Sequence, residues 1–431
     1  MKDGNKIIGI IKNEIYNLDF MIQSKNNKQD FTRNRKLCFS SLLLFMLNSA
    51  KSTLQKELTN FMELISSSRD KVKRISKSAF SQSRSKLNPE AFIHLNNVLN
   101  REFYTDNDYS TWKGFRLLSI DGSTCQLPYS KQLKEHFGCT QGNCSRNFPL
   151  ARISSFYDLL NNIMIGSKIT SQKIGEYTLA LPFLETIKQN DLLILDRGYG
   201  AVWLFYYIIM RGGDFVVRLQ RSFIKEADDF RESKDYSRII ELDHCHYKSQ
   251  NLLTGLGIKF KSFKIRLVRV ILDNGEVEIL ATSLLDEDKY PTSIFKDLYF
   301  MRWSIETNYG HLKNQIEIEK FSGRTVLAIE QDFYVSMLMA NFQALIIRDA
   351  KREMDKTNKE HKYEYKINRN LSYGYMKDRF IKILLCEDQN YYEQLKELFK
   401  VEPIPIRKGR KFERRSQDKG KKYFLNKRRA A

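Results

Sequence analysis

The chain has 431 residues, with 72 Lys and Arg against 51 Asp and Glu and a formal net charge of +21. At 42% hydrophobic and 12% aromatic residues it carries enough apolar material for a large core, which excludes a disordered or collagen-like chain. No apolar run reaches the roughly 18 residues of a membrane helix, and the opening MKDGNKIIGI puts charged and amide groups where a secretory leader has its apolar region, so a soluble cytoplasmic protein with no membrane partner is expected.

Residues 1–105 read as a basic helical domain. The runs CFSSLLLFMLNSA and KSTLQKELTNFMELI repeat apolar residues at helix spacing. Residues 76–87 then have a serine start, a short body rich in Lys, Arg, Ser and Gln, and a stop at Asn88-Pro89. A helix of this kind can enter a DNA major groove, with Lys77, Ser78, Gln82, Ser83 and Arg84 as contacts. An ordinary solvated helix reads the same way.

From residue 114 the pattern changes to short apolar runs. FRLLSIDGST and NDLLILDRGY read as buried strands with Asp121 and Asp196 at their carboxyl ends. Between them RISSFYDLLNN and MIGSKIT predict two further strands, and GEYTLALPFLETIKQ a helix disturbed near Pro182. AVWLFYYIIMRGG then predicts a helix closed by glycine and DFVVRLQ a strand, so 106–220 forms the first part of a mixed α/β core. Ligands on such sheets gather at the carboxyl ends of strands. Residues 221–286, with SRIIEL, KIRLVRVIL and EVEILATSL and a turn at Asp273-Asn274-Gly275, read as a β-rich insertion. Helix returns from Tyr290: one proline-free helix through KDLYFMRWSIETNYGHLKNQIEIEKF and a buried one over 326–350 complete the core, 287–350. A helical region, 351–403, precedes a basic tail, 404–431, whose twelve Lys and Arg stand against Glu413 and Asp418 for a net +10. Charge of this density fits a polyanion, since cations that neutralise phosphates release counterions.

Six scattered cysteines form no disulfide framework, and the spacings of Cys139 and Cys144, and of His244, Cys245 and His246, are not those of a usual zinc site. With only six histidines in the chain, carboxylates are the expected acid–base and metal-binding groups.

Tyr299, Arg302, Glu306 and Lys313 lie at offsets 0, 3, 7 and 14. On one continuous helix at about 100° per residue they project to a single face, carrying a phenol, a guanidinium, a carboxylate and an ammonium. A surface ion pair between Arg302 and Glu306 is the simpler alternative. If Asp121 and Asp196 meet Glu306, three carboxylates can hold two divalent cations about 4 Å apart and support phosphoryl transfer; oxygen donors of this type suit Mg²⁺ or Mn²⁺.

IDGST around Asp121, LDRGY around Asp196, and Y-x2-R-x3-E-x6-K from Tyr299 to Lys313, with YFMRWSIE and IEKFSGRT beside it, resemble the signature of DDE transposases of the insertion-sequence-four family. The resemblance spans most of 30–350. It implies a ribonuclease H-like core interrupted by a β-rich insertion between Asp196 and Glu306, here 110 residues apart, together with an N-terminal helical DNA-binding domain. It further implies Asp121, Asp196 and Glu306 as the catalytic and metal-holding trio, with two Mg²⁺ or Mn²⁺ ions, and Tyr299, Arg302 and Lys313 as DNA contacts. The partner would be double-stranded DNA, transposon ends and target alike, bound by a homodimer at the nucleoid of a bacterial-type cell. One branch of the family stacks a flipped base on a tryptophan of the insertion; here Trp112, Trp203 and Trp303 all fall outside it, leaving Tyr247 and Phe263 as substitutes. A nuclease that cuts without joining, and a non-catalytic DNA-binding relic or repressor, are the rival readings.

Overall fold

The computed structural model describes residues 3–33, 35–48, 53–66, 74–106, 108–139, 148–357, 363–386, 388 and 390–407. Six helices come first: α1 (Gly4–Ile15), α2 (Leu18–Ser24), α3 (Phe39–Leu47), α4 (Leu54–Ile65), α5 (Lys77–Arg84) and α6 (Glu90–Thr105). Side chains at helix starts supply local stop signals: Asp3 accepts from the Lys6 amide, Asn17 from Asp19 and Phe20, and Ser76 from Ala79.

The α/β region follows with the expected strands and helices in order and one further helix, α7, between the first two strands: β1 (Arg116–Gln126), α7 (Lys131–Phe137), β2 (Leu150–Asp158), β3 (Ile163–Ser171), α8 (Glu176–Leu184), β4 (Asp191–Leu195), α9 (Val202–Met210) and β5 (Asp214–Arg218). Pro182 lies inside α8 and does not end it. Next come α10 (Lys225–Glu232), β6 (Ser237–Leu242), α11 (Tyr247–Gly255), β7 (Phe263–Ile271) and β8 (Val277–Thr282). The chain continues as α12 (Phe295–Phe300), α13 (Trp303–His311), α14 (Val326–Thr357), β9 (Glu364–Lys366), α15 (Arg369–Leu385), α16 (Asn390–Lys400) and β10 (Ile404–Ile406).

One sheet runs in the order β3-β2-β1-β4-β5-β8-β7-β6. Within its first five strands β3, β2 and β1 are antiparallel neighbours, whereas β1, β4 and β5 run parallel, which is the strand arrangement of a ribonuclease H-like core. The central strands of the sheet are buried on both faces, and period-two alternation divides their side chains between two apolar clusters. Leu117, Leu192, Ile194 and Val216 face the cluster shared with the N-terminal helices and α14. Leu118, Leu193, Leu195, Phe215 and Val217 face the cluster built on α8 and α9. At the amino-terminal ends of β1 and β4, Arg116 donates from Nε and Nη2 to the two oxygens of Asp191, both at 2.8 Å, which fixes the parallel pair in register.

The hairpin expected at Asp273-Asn274-Gly275 joins β7 to β8, with Gly275 at φ 81° where a side chain would be strained. The segment 221–286 carries two helices beside its three strands. Its β8 pairs with β5 through Val216–Thr282, Val217–Ala281 and Arg218–Leu280, so the added strands extend the core sheet.

Candidate active site

The parallel β1–β4 pair sets Leu118 opposite Leu193, and both strands lead to an aspartate: Asp121 inside β1 and Asp196 just past the end of β4. On the far side of β4, Leu195 lies opposite Val217, which brings the next residues, Asp196 and Arg218, side by side. Arg218 Nη2 stands 3.2 Å from Asp196 Oδ1.

The third carboxylate arrives from a helix that is not continuous. α12 stops at Phe300, Met301 and Arg302 link it to α13, and residues 312–316 wind as a π-turn that ends at Glu317 with φ 62°. This corrects the expected single helix, and Lys313 lies inside the turn of different pitch. The four side chains are placed as follows. Arg302 is buried, donates from Nη2 to Glu306 Oε1 at 2.9 Å, and sits 5.7 Å from the ring centre of Tyr299 and 5.0 Å from that of Trp303. Lys313 Nζ reaches Ser123 Oγ on β1 at 2.9 Å, two residues beyond Asp121.

Three further contacts were not legible in the sequence. Tyr309 donates its hydroxyl to the Asp121 carbonyl at 2.7 Å, which ties α13 to β1. The Gly122 amide donates to Asp121 Oδ1 at 2.8 Å. Arg218 also donates from Nη1 to Glu278 on β8. The one signal for Arg218 was its place at the end of DFVVRLQ, the strand following the Asp196 strand.

Burial pushes the Asp121 carboxyl up to about 6, and the negative charges of Glu306 and Asp196 push the same way, while the Gly122 amide and Arg302 oppose them. Burial likewise pushes the Tyr299 phenol well above its usual range, against the pull of Arg302 and Arg218. His311, the histidine of α13, is pushed down to about 4 by burial and by the charge of Arg369, and its ring is held between Gln315 and Gln343. It packs as a neutral ring.

The donors suit a hard divalent cation: three carboxylates from separate elements, close enough that Asp121 feels both of the others. Buried polar atoms without a hydrogen-bond partner, Tyr299 Oη, Arg302 Nε and Arg218 Nε, surround them. Among the described residues no three acidic, His or Cys side chains are gathered tightly enough to hold a metal ion as they stand. Guanidinium groups take that place instead, Arg302 on Glu306 and Arg218 on Asp196.

The family model described as Transposase DDE domain matches residues 112–342, more than half of the chain, and contains all three carboxylates. The chain belongs to the DDE transposase family. Membership carries a general dependence on a divalent metal. Over 272 residues it is 22% identical to the transposase InsG for insertion sequence element IS4 of Escherichia coli strain K12, a match covering 62% of this chain and 60% of that protein. Over 88 residues it is 26% identical to the putative transposase InsZ of the same strain, covering 20% of this chain and 29% of that protein. The chain thus spans less than two thirds of the length of either relative. A cryo-EM structure of the piggyBac transposase synaptic complex with hairpin DNA aligns with 93% of this chain and 81% of its own, at 10% identity and a TM-score of 0.45.

In this member of the DDE transposase family, the residues expected to contact DNA from α5 divide. Lys77, Ser78 and Gln82 are exposed, and Ser83 is buried with its hydroxyl turned to the Leu37 carbonyl. Arg84 points inward, which corrects its assignment as a base reader. Its guanidinium donates to Gln331 Oε1 at 2.8 Å, Ser322 Oγ at 2.7 Å, the Ala328 carbonyl at 3.2 Å and Asp332 Oδ1 at 3.0 Å. It therefore fastens α5 to the start of α14.

Beside α5 lies a cleft of about 1060 Å³ whose lining includes Arg33, Arg35, Lys36, Arg74, Lys86 and Gln82, with Asp30 as its one acid. Sequence reasoning missed these cations because they come from two stretches that meet only in the fold. Tyr247 stands exposed at the start of α11, whereas Phe263 packs 5.4 Å from the ring of Tyr206. Cys245 is buried and joins no metal-holding group among the described residues. Cys144 and residues 408–431 of the basic tail lie outside the described residues.

Proposed function

We propose that the chain is a transposase that binds the terminal inverted repeats of its own insertion sequence, cleaves the DNA by metal-dependent hydrolysis and joins the freed 3′-hydroxyl to target DNA. The reading is carried by one observation: Asp121, Asp196 and Glu306 approach one another beside Arg302, Tyr299 and Lys313, inside the family-matched segment.

In this reading, water adds its oxygen to the phosphorus at the transposon end and the P–O3′ bond breaks, leaving a 3′-hydroxyl and a 5′-phosphate. The 3′-hydroxyl then attacks a target phosphodiester, and a target 3′-oxygen leaves. Two Mg²⁺ or Mn²⁺ ions bound by Asp121, Asp196 and Glu306 would supply activation of the attacking oxygen and stabilisation of the leaving one. The protein's own share is positional. Lys313 and Arg302 offer charge-assisted contacts to the phosphates flanking the scissile bond, and the Tyr299 hydroxyl, buried and unpartnered, offers one more donor. Tyr309 and Ser123 hold β1 and the π-turn together so that Asp121 and Lys313 keep their spacing. Double-stranded DNA also fits the cleft beside α5, where five cations and Gln82 face outward, with Lys77 next to it. A homodimer would bring two ends together.

The test is incubation with the DNA flanking the chain's own gene and Mg²⁺, followed by mapping of cut and joined strands. Wild type should cut at the element ends, and replacing Asp121, Asp196 or Glu306 by Ala should abolish cutting with DNA binding retained. Cutting without preference for those ends, or near-normal cutting by any of the three variants, would contradict the assignment.

A further inference from the structure

Arg218 is the one described side chain that bridges a candidate catalytic carboxylate to the inserted segment. It ends β5 in register with Leu280 of β8, and Glu278 lies two residues along β8, on the same face of the sheet. Nη2 goes to Asp196 at 3.2 Å and Nη1 to Glu278, so one guanidinium is shared between two acids. The sharing is unequal: the Glu278 side chain is only 12% exposed and that of Asp196 is 35% exposed, so the contact with Glu278 is the better shielded from water.

We propose that Glu278 is a positioning residue that draws Arg218 off Asp196 and thereby sets how readily the carboxylate trio accepts a divalent cation. The proposal rests on the reading of Asp196 as a metal-holding group. Its physical basis is charge. Asp196, Arg218 and Glu278 together carry one net negative charge. Without Glu278, the guanidinium has Asp196 as its remaining acid in this bridge, and its positive charge stands uncompensated against an incoming cation. Without Arg218, both acids are released and the local field becomes more negative. The insertion then does more than widen the sheet, because β8 controls the charge felt at the end of β4.

The experiment measures Mn²⁺ affinity of the full chain without DNA, from the electron paramagnetic resonance signal of free Mn²⁺. Melting curves confirm that each variant is folded. Relative to wild type, Glu278→Gln should bind more weakly and Arg218→Gln more tightly, each by about tenfold for a unit charge acting on a divalent ion at this range. The double variant, with its single remaining negative charge, should return close to wild type. Loss of packing alone would move both single variants the same way, so a shift of equal sign, or none, overturns the proposal. If Glu278→Gln does not fold, Arg218→Gln against Arg218→Lys decides: tighter binding by the Gln variant supports the idea, and equal binding overturns it. Asp196→Asn separates the two levels of the argument. Wild-type Mn²⁺ affinity that this change leaves untouched overturns the assignment of Asp196 as a metal-holding group, and the proposal with it.

Discussion

Asp121 ionises against its surroundings. Its carboxyl is pushed up to about 6 in the folded chain, chiefly by burial, whereas an unfolded aspartate titrates at about 3.9. Between those values the folded state holds the proton and the unfolded state does not. Its contribution to stability is therefore fully present below about pH 3.9 and is lost as pH rises through about 6. Urea unfolding of the metal-free protein at pH 4 and pH 7 checks this against Asp121→Asn, which keeps the shape and removes the titration. Wild type should lose stability relative to the variant as pH rises. Identical pH dependence of the two proteins would show that Asp121 titrates as it does in water. The same residue was legible in the sequence as a charge on a buried strand, although β1 runs on to Gln126 and Asp121 lies within the strand, not at the carboxyl end where the apolar run placed it. Its elevated proton affinity was not, since that depends chiefly on how deeply the folded elements bury it, with Glu306 and Asp196 adding to the shift from elements far along the chain.

At the scale of elements, local pattern predicted what local physics decides. The five core strands, α8, α9 and the β7–β8 turn follow from apolar runs, glycine and the Asn-Gly signal. The interruption between α12 and α13 and the π-turn at 312–316 lacked any such mark: the segment has no proline, and apolar spacing alone extends the helix straight through. Arg84 shows the same limit from the other direction. As a sequence it is one cation among several on a polar helix, yet its partners Gln331 and Asp332 lie nearly 250 positions away. Replacing Arg84 by Met should destabilise the chain by about 3–5 kcal/mol, as expected when one partner of a buried, hydrogen-bonded ion pair is removed. Urea unfolding measures that loss. DNA affinity of the folded variant should fall little. Normal stability with lost DNA affinity would instead return Arg84 to the DNA-facing surface.

Across the whole molecule, the central strands β1 and β4 position Asp121 and Asp196, and α13 positions Glu306 beside them. The N-terminal helices share one apolar cluster with α14, so the basic cleft beside α5 and the carboxylates belong to elements joined through a common core. The net charge of +21 favours association with any polyanion; in the proposed reading, the joining of strands is what would distinguish this chain from a general DNA-binding protein or a plain nuclease. The most direct measurement supplies a pre-cut transposon end with a free 3′-hydroxyl, plasmid target DNA and Mg²⁺ or Mn²⁺, and scores joined product on a gel. Wild type should join the end to the plasmid, Glu306→Ala should not, and Arg302→Gln and Lys313→Gln should lose joining far more than general nicking. A wild-type protein that nicks the plasmid but yields no joined product with either metal would contradict the transposase reading.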